Sequence, residues 1–274
     1  MNKMFEEMLR KHNEGGADGE HNALYEVMQQ IVLSGLYRGG FFKEAAFYGD
    51  TCLRIFHGMR RYSEDMDFSL LEKNPDFNLE KFFPAIIEEC HLLGREVTIT
   101  KKDKRTFGKV ESAFLKDNTD VYNLTFQTEK TLKIKIEVDT QPPLKFNTEQ
   151  KMLFEPYSFM TRCFTLPDLY AGKMHALVFR QWKNRIKGRD WYDFDWYVRH
   201  EIPLDFNHLQ ERVREFNGVE LTRESFMEIL RERLANGNID SVKDDVSSYV
   251  IDPLDLEIWS NDYFLMLADR IRFV

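Results

Sequence analysis

The stretch "YGDTCLRIFHGMRRYSEDMDFSL", residues 48–70, decides the fold of the chain. The segment "KEAAFYG", which overlaps its start, predicts a short strand that ends in a turn at Gly49, and "DTCLRIFHG" predicts a short helix after that turn. "DMDFSL" predicts a second strand, in which Asp65 and Asp67 lie on one face because side chains alternate along a strand. The stretch therefore combines a strand, a turn, a helix and an acidic strand.

The paired carboxylates indicate a cation site. Two carboxylates on one face repel each other unless a cation lies between them, and Mg²⁺ (or Mn²⁺) takes oxygen ligands from one or two carboxylates plus substrate phosphates. A third acid is available in the later strand "KIKIEVD", where Lys135, Glu137 and Asp139 share one face and the alternate apolar residues face the core. Glu137 is the expected third ligand, with Asp139 as the alternative.

The turn and the helix after it are suited to binding phosphate. "YGDT" can present backbone N–H groups and the Thr51 hydroxyl to a phosphate at the helix N-terminus. Arg54, Arg60 and Arg61 are available to neutralise a polyphosphate. Asp50 is acidic, so it either caps the helix while facing away from the phosphate or alters nucleotide binding.

Composition bounds the class of protein. The chain has 274 residues, 43% of them hydrophobic and 14% aromatic, which is enough for one large domain or two modest ones. A net charge of −8 argues against a protein that coats nucleic acid, although "RQWKNRIKGR" at 180–189 forms a local basic patch. Three widely spaced cysteines without a C-x-x-C, and the lack of an apolar run of membrane-spanning length, predict a cytoplasmic protein with neither a zinc site nor a disulfide framework.

The predicted secondary structure changes once along the chain, from mixed helices and strands to helices alone. Residues 41–139 mix helical patterns with the strand candidates "REVTIT", "YNLTFQT" and "TLKIKIEVD", so helices and strands share one mixed sheet. After "QPPLKFN" at 141–147, helical patterns follow one another to the end of the sequence. We therefore predict an α/β (α+β) domain over 1–147, which includes N-terminal helices, and an all-helical domain over 148–274.

Three motifs resemble those of one family, and they occur in the same order as in that family. "YGDTCLRIFHGMRRYSEDMDF" resembles the first motif of the AbiEii-type nucleotidyltransferase toxins, in which a Gly-x-Thr-x-Leu-Arg run precedes Arg-x-Ser-x-Asp-x-Asp-Phe. "LPDLYAGKMHALVFR" at 166–180 is similar to the family's lysine-bearing helix, and "KGRDWYDFDWYV" at 187–198 to its Arg-Asp-x-Tyr-Asp signature. The resemblance covers residues 41–198.

The resemblance implies a nucleotidyltransferase-like fold and a Mg²⁺-dependent transfer of a nucleoside monophosphate from an NTP to an acceptor. It further implies a toxin that modifies a tRNA 3′ end and has a cognate antitoxin. The implied catalytic residues are Asp65, Asp67, Glu137 and Lys173, the last in contact with the triphosphate. The expected nucleotide-binding residues are Gly49, Asp50, Thr51, Arg54, Arg61, Ser63, Lys173 and Asp190. We place RNA binding in the basic patch, on Lys183, Arg185, Lys187 and Arg189.

Three other functions are compatible with parts of the sequence. A metal-dependent nuclease also uses acidic strands with a lysine, but it uses the order Glu-x-Lys, whereas Lys135 precedes Glu137 here. A transferase that modifies a protein or a small molecule would need the same motifs. A binding module without catalysis is favoured only by the acidic Asp50.

Overall fold

The chain forms two compact units in the computed structural model, which describes residues 2–13, 15, 19–101, 119–126, 132–180 and 187–274. The first unit comprises Met1–His57, Ser63–Pro142 and Thr148–Cys163. The second unit comprises Gly58–Tyr62, Pro143–Asn147 and Phe164–Val274. Two short segments before residue 148 therefore belong to the second unit, so the units are not divided by a single boundary at residue 147 as the sequence analysis predicted.

The first unit is built on a mixed seven-stranded sheet. Its helices are α1 (Lys3–His12), α2 (Gly19–Arg38), α3 (Gly49–His57) and α4 (Phe83–Leu92). Its strands are β1 (Ala45–Tyr48), β2 (Met66–Leu70), β3 (Val97–Lys101), β4 (Thr119–Phe126), β5 (Leu132–Asp139), β6 (Thr148–Leu153) and β7 (Phe159–Phe164). The strand order is β3-β4-β5-β2-β1-β7-β6. β2 is antiparallel to β1 and parallel to β5, which places the acidic strand at the centre of the sheet.

Helix boundaries in this unit follow the capping residues in the sequence. The Asn78 side chain accepts a hydrogen bond from the Glu80 N–H at 2.9 Å and opens the turn before α4, Pro84 lies in the first turn of α4, and Gly94 follows its end at a φ of +70°. α3 begins at Gly49, so Asp50 and Thr51 lie in its first turn.

The core of the sheet is aromatic. The Phe68 ring on β2 contacts Phe41 edge-on and stacks on Phe47, with ring centroids 5.0 Å apart in both pairs. All three side chains are fully buried. Burying such aromatic side chains stabilises the sheet and fixes which face of β2 points to solvent.

Two strands were missed in the sequence analysis. β6 and β7 lie in residues 148–164, which the sequence analysis had assigned to an all-helical domain. The sheet order places β6 at an edge of the sheet, and its side chains alternate only between exposed and half-buried, so the strand carries no apolar pattern. β7 is parallel to β1 through Phe47 and Cys163, which extends the sheet beyond β1.

The second unit is helical, as predicted for this part of the chain. Its helices are α5 (Leu166–Phe179), α6 (Gly188–Arg199), α7 (Phe206–Asn217), α8 (Arg223–Ala235), α9 (Ile239–Ser247) and α10 (Asn261–Ala268). α6 is the central one: it contacts α5, α9 and α10, and its Trp191, Phe194 and Tyr197 are buried. Across the part of the chain that the structure describes, no helix combines the length and apolarity needed to cross a membrane.

Gly35 marks the closest approach of α2 to α4, and it gives the first prediction. A Cβ atom there would lie 2.6 Å from the Ile86 Cα and 3.1 Å from the Ala85 carbonyl oxygen, which are backbone atoms that cannot yield alone. We expect Gly35→Ala to lower the free energy of unfolding by about 1–3 kcal/mol, as overpacking does. Gly172→Ala in α5 is the matched control, because a Cβ there has no atom within 4 Å.

We expect the control to leave stability unchanged or to raise it by up to about 1 kcal/mol, since alanine is the better helix former. Urea denaturation followed by circular dichroism measures both variants. Equal destabilisation by the two substitutions would contradict the assigned close approach of α2 and α4.

Candidate active site

Strand register brings two acidic side chains together in the first unit. β2 and β5 run parallel, with Asp67 opposite Glu137 and Phe68 opposite Val138. Neighbouring strands lie about 4.8 Å apart and paired residues point to the same face. Phe68 and Val138 are buried, so Asp67 and Glu137 project from the opposite, half-buried face. The carboxylates of two residues 70 positions apart in sequence are therefore held side by side.

Asp65 precedes β2 and is positioned through its backbone. The Thr51 hydroxyl on α3 donates a hydrogen bond to the Asp65 carbonyl oxygen, and a second hydrogen bond of 2.8 Å joins it to the Ser63 hydroxyl. From α2, the Gln29 side-chain amide donates to the carbonyl oxygens of Ser63 at 2.9 Å and Glu64 at 3.2 Å. Buried polar groups on two helices thus fix the loop that carries Asp65.

These contacts show how two of the predicted nucleotide-binding residues are placed. The Thr51 side chain is fully buried and Ser63 is nearly so, and both are hydrogen-bonded within the protein. A hydroxyl in that position supports the acidic loop. Hydrogen bonds of this kind contribute about 1 kcal/mol each, and losing one partner costs more because the other is left buried and unsatisfied.

Gly49 allows the helix α3 to start directly beside Asp67. Its φ of +81° lies in the left-handed region, and a Cβ there would lie 2.4 Å from the Asp67 Oδ2 atom. Only glycine fits this turn. Asp50 follows in the first turn of α3 and is half-buried. The structure therefore places Gly49 beside Asp67 at the strand-to-helix turn.

Lys135 lies between two of the acids. Its ammonium Nζ is 2.7 Å from the Glu137 Oε1 atom and 3.1 Å from the Asp65 Oδ2 atom. Burial disfavours the charged ammonium, but the Glu137 and Asp65 carboxylates outweigh it and raise the pKa of Lys135 above its ordinary value. Lys135 is therefore a protonated cation bound by both carboxylates.

The donor set fits a hard divalent cation, because Asp65, Asp67 and Glu137 offer only carboxylate oxygens. Asp139 lies two residues beyond Glu137, opposite Ser69, and its Oδ1 atom accepts from the Gln141 N–H at 3.1 Å. The register thus favours Glu137 over Asp139 as the third acid. Among the described residues, no three His, Cys, Asp or Glu side chains converge into a metal-binding group. Two of the acids share the Lys135 ammonium instead.

Arg54, the first arginine of the predicted phosphate-binding set, lies on α3. Its Nε donates to the Glu26 Oε2 atom at 3.0 Å, and its side chain is only 9% exposed. Glu26 also binds the His12 imidazole at 3.1 Å, and these neighbours hold the pKa of the Glu26 carboxyl below its ordinary value although burial acts in the opposite direction. Arg54 is therefore engaged in an internal ion pair in the first unit.

Arg61 and Lys173 meet at one carboxylate in the second unit. Arg61 donates two hydrogen bonds of 2.7 Å, from Nε and Nη2, to the two oxygens of Asp193 on α6, and both side chains are fully buried. The Lys173 Nζ on α5 lies 2.6 Å from the Asp193 Oδ2 atom and 3.9 Å from the Asp190 Oδ1 atom. Burial opposes the charged form of Asp193, but Arg61 and Lys173 outweigh it and lower the pKa of this carboxyl.

The guanidinium of Arg61, one of the predicted phosphate-binding arginines, is bound by the buried Asp193 carboxylate. The segment that carries it is fixed further by a β-bridge between Arg61 and Val250 and by a hydrogen bond of 2.9 Å from the Tyr62 N–H to the Tyr249 carbonyl oxygen. Asp193 is not among the site residues that the sequence analysis named. The sequence feature that points to Asp193 is its position one helical turn after Asp190, which places the two carboxylates on the same face of α6.

The basic patch is described only in part. Lys183 and Arg185 lie outside the described residues. Lys187 immediately precedes α6, where burial and then the neighbouring Arg180 lower the pKa of its ammonium to about 8. The Arg189 guanidinium lies over the Tyr249 ring, 4.4 Å from its centroid. Of the four predicted RNA-binding residues, the structure therefore describes Lys187 and Arg189.

Both the sequence and the fold of the chain are similar to those of nucleotidyltransferase toxins. The family model "Nucleotidyl transferase AbiEii toxin, Type IV TA system" matches residues 31–269. The fold is similar to that of MenT4, a nucleotidyltransferase toxin from Mycobacterium tuberculosis H37Rv, with a TM-score of 0.60 and 17% identity, covering 96% of this chain and 89% of that one. JHP933 from Helicobacter pylori gives a TM-score of 0.53 and 15% identity, covering 91% and 89%. No curated protein matches the sequence significantly.

The buried Asp193 gives the second prediction. Asp193→Asn leaves Arg61 and Lys173 without their counter-charge, so we expect the free energy of unfolding at neutral pH to fall by about 3–5 kcal/mol. The folded-state pKa of Asp193 is depressed, so its contribution is present above the unfolded value of about 3.9 and is lost as the pH falls through the lower folded value. The difference between wild type and variant should therefore shrink below about pH 4.

Urea denaturation at neutral pH and at about pH 3.5 measures this difference. Asp244→Asn, at an exposed position of α9, is the control and should change stability little at either pH. A destabilisation by Asp193→Asn that is the same at both pH values would contradict an ionised, doubly paired Asp193.

Proposed function

The chain belongs to the AbiEii nucleotidyltransferase toxin family of type IV toxin–antitoxin systems, and from this premise we propose that it transfers a nucleoside monophosphate from an NTP to an acceptor and releases pyrophosphate. The observation that carries the proposal is the register of β2 on β5, which places Asp67 beside Glu137 at the turn that Gly49 opens. Strand, glycine turn, helix and two acidic strands are the parts that such a transfer needs.

We propose that Asp65, Asp67 and Glu137 hold Mg²⁺ or Mn²⁺, with Asp139 as the alternative to Glu137. A divalent cation held there lowers the pKa of the attacking hydroxyl and offsets the charge of the phosphates. The residues of the chain have supporting tasks. Gly49 lets the start of α3 approach Asp67, and Thr51 fixes the backbone of Asp65, so the acids are held in place before substrate arrives.

Lys173 keeps the role that the family resemblance implies, which is contact with the triphosphate. Its ammonium is bound by the buried Asp193 at 2.6 Å, and its side chain is 12% exposed. A lysine held by a fixed carboxylate loses little further freedom when an anion binds, which favours stabilisation of a developing negative charge. Asp193 is thus proposed as a positioning residue, and Asp190, 3.9 Å away, as a second partner of the lysine.

We propose a tRNA 3′ end as the acceptor, in the cytoplasm, with a cognate antitoxin as the protein partner. Support for RNA comes from the basic residues near the start of α6, among them Lys187 and Arg189. Phosphate contacts of this kind supply sequence-independent affinity that falls with salt. The same chemistry would act on a protein or small-molecule hydroxyl, and the assay below distinguishes these acceptors.

Loss of Asp67 is the direct test of the proposed transfer. Wild type, Asp67→Ala and the control Asp76→Ala, at an exposed position of the first unit, are incubated with Mg²⁺, each α-³²P-labelled NTP and total tRNA. We expect label on RNA with wild type and control. The rate of RNA labelling by Asp67→Ala should fall by more than about a hundredfold. Removing a residue that only hydrogen-bonds to a metal ligand costs at most about a hundredfold.

The possible outcomes of this assay test the acceptor and the catalytic acids separately. Pyrophosphate release without labelled RNA would move the acceptor to a protein or a small molecule. Undiminished labelling by Asp67→Ala, or no NTP turnover by wild type, would overturn the proposed catalytic acids.

Gly49 gives a further prediction about the same acids. Gly49→Ala strains a positive φ and also forces the Asp67 carboxylate aside, so we expect the transfer rate to fall about tenfold to a hundredfold. Gly218→Ala is the matched control, since its φ is +69° and a Cβ there has no atom within 4 Å. Both variants should lose about 1–2 kcal/mol of stability, but only the first should lose activity. Equal rates for the two variants would contradict the contact between Gly49 and Asp67.

A further inference from the structure

Lys135 is the one basic side chain that the described structure shows bound to two of the proposed metal ligands. Its Nζ lies 2.7 Å from Glu137 and 3.1 Å from Asp65. These are hydrogen-bonding distances to oxygens that would otherwise be free to coordinate a metal. The ammonium and a divalent cation therefore compete for the same carboxylate oxygens.

The partial exposure of this ion pair distinguishes it from the buried ion pair of the second unit. The Lys135 side chain is 32% exposed and the Asp65 side chain 49% exposed, so the lysine can move its ammonium into solvent on its flexible four-carbon stem. By contrast, the bidentate pair of Arg61 and Asp193 is fully buried and has no such path. Lys135 is thus held at the acids without being locked there.

Both arrangements offset part of the negative charge of the three acids. Asp65, Asp67 and Glu137 carry three negative charges on or beside two neighbouring strands, and Lys135 offsets one of them while it is bound. If its ammonium moves away, a divalent cation offsets two. Without any cation, carboxylates a few ångströms apart repel each other strongly.

We propose that Lys135 is a built-in, exchangeable counter-ion, which holds Asp65 and Glu137 together in the metal-free protein and withdraws when a divalent cation binds. The lysine thereby lowers the affinity for the cation and keeps the acids in position until the cation arrives. This inference rests on the proposed function only for the identity of the metal ligands. Its consequence is that the metal affinity of the resting protein is set by a residue that is not a ligand.

Metal binding without nucleotide tests the exchange directly. Mn²⁺ is titrated into wild type, Lys135→Met and Lys135→Gln, and free Mn²⁺ is measured by electron paramagnetic resonance. Lys133→Met is the matched control, because Lys133 lies two residues earlier on the same face of β5 and is exposed. Melting temperatures are recorded for each protein with and without Mn²⁺.

We expect Lys135→Met to bind Mn²⁺ at least about tenfold more tightly than wild type, because a unit positive charge no longer competes at contact distance. Lys135→Gln should give a similar gain if the methionine variant folds poorly. Without metal, both variants should melt at a lower temperature than wild type, and Mn²⁺ should raise their melting temperatures by more. Lys133→Met should match wild type in every measurement.

Unchanged or weaker Mn²⁺ binding by both Lys135 variants would overturn the inference, as would a lack of measurable binding by any of the proteins. Adding Asp65→Asn to Lys135→Met should reverse the gain in affinity, and a gain that persists would overturn it too. The two proposals fail separately. Transfer of label without a gain in Mn²⁺ affinity refutes only the exchange, whereas a gain in affinity without transfer refutes only the proposed function.

Discussion

Repulsion between carboxylates is the constraint on which the acidic strands depend. The parallel pairing of β2 and β5 places Asp67 beside Glu137, and hydrogen bonds between strand backbones leave neither side chain free to move to the other face. The sheet provides the energy for this arrangement through buried aromatic and aliphatic side chains, of which Phe68 is one. A cation is then needed to offset the charge, and Lys135 supplies it within the chain.

Each unit fixes its functional side chains through buried polar groups. In the first unit, Thr51 and Gln29 hold the loop before β2, so the position of Asp65 is set by its backbone and its side chain remains half-exposed. In the second unit, Asp193 binds Arg61 and Lys173 at once. A buried carboxylate is stable there because both cations surround it, and removing it would leave two charges unpaired.

Local sequence patterns predicted most helices and strands. Pairing between distant residues determined the strand register and the partners of the charged side chains. Alternation of polar and apolar residues was sufficient for β2 and β5, and capping residues such as Asn78 located the helices. The register of β2 on β5 joins segments about 70 residues apart, and no local rule specifies it. The bonds of Lys135 and Arg61 follow from such pairings, so the sequence indicated charged residues without indicating their partners. β6 was missed because an edge strand without apolar alternation looks like a loop.

The 132 residues that separate Arg61 from Asp193 have a consequence for synthesis on the ribosome. Translation proceeds at roughly 5–20 residues per second, so Asp193 is synthesised on the order of ten seconds after Arg61. During that interval the segment 58–62 has neither α6 nor its bridge partner Val250 to bind. The nascent chain therefore cannot complete the pair between Arg61 and Asp193, which also binds Lys173, until α6 has emerged.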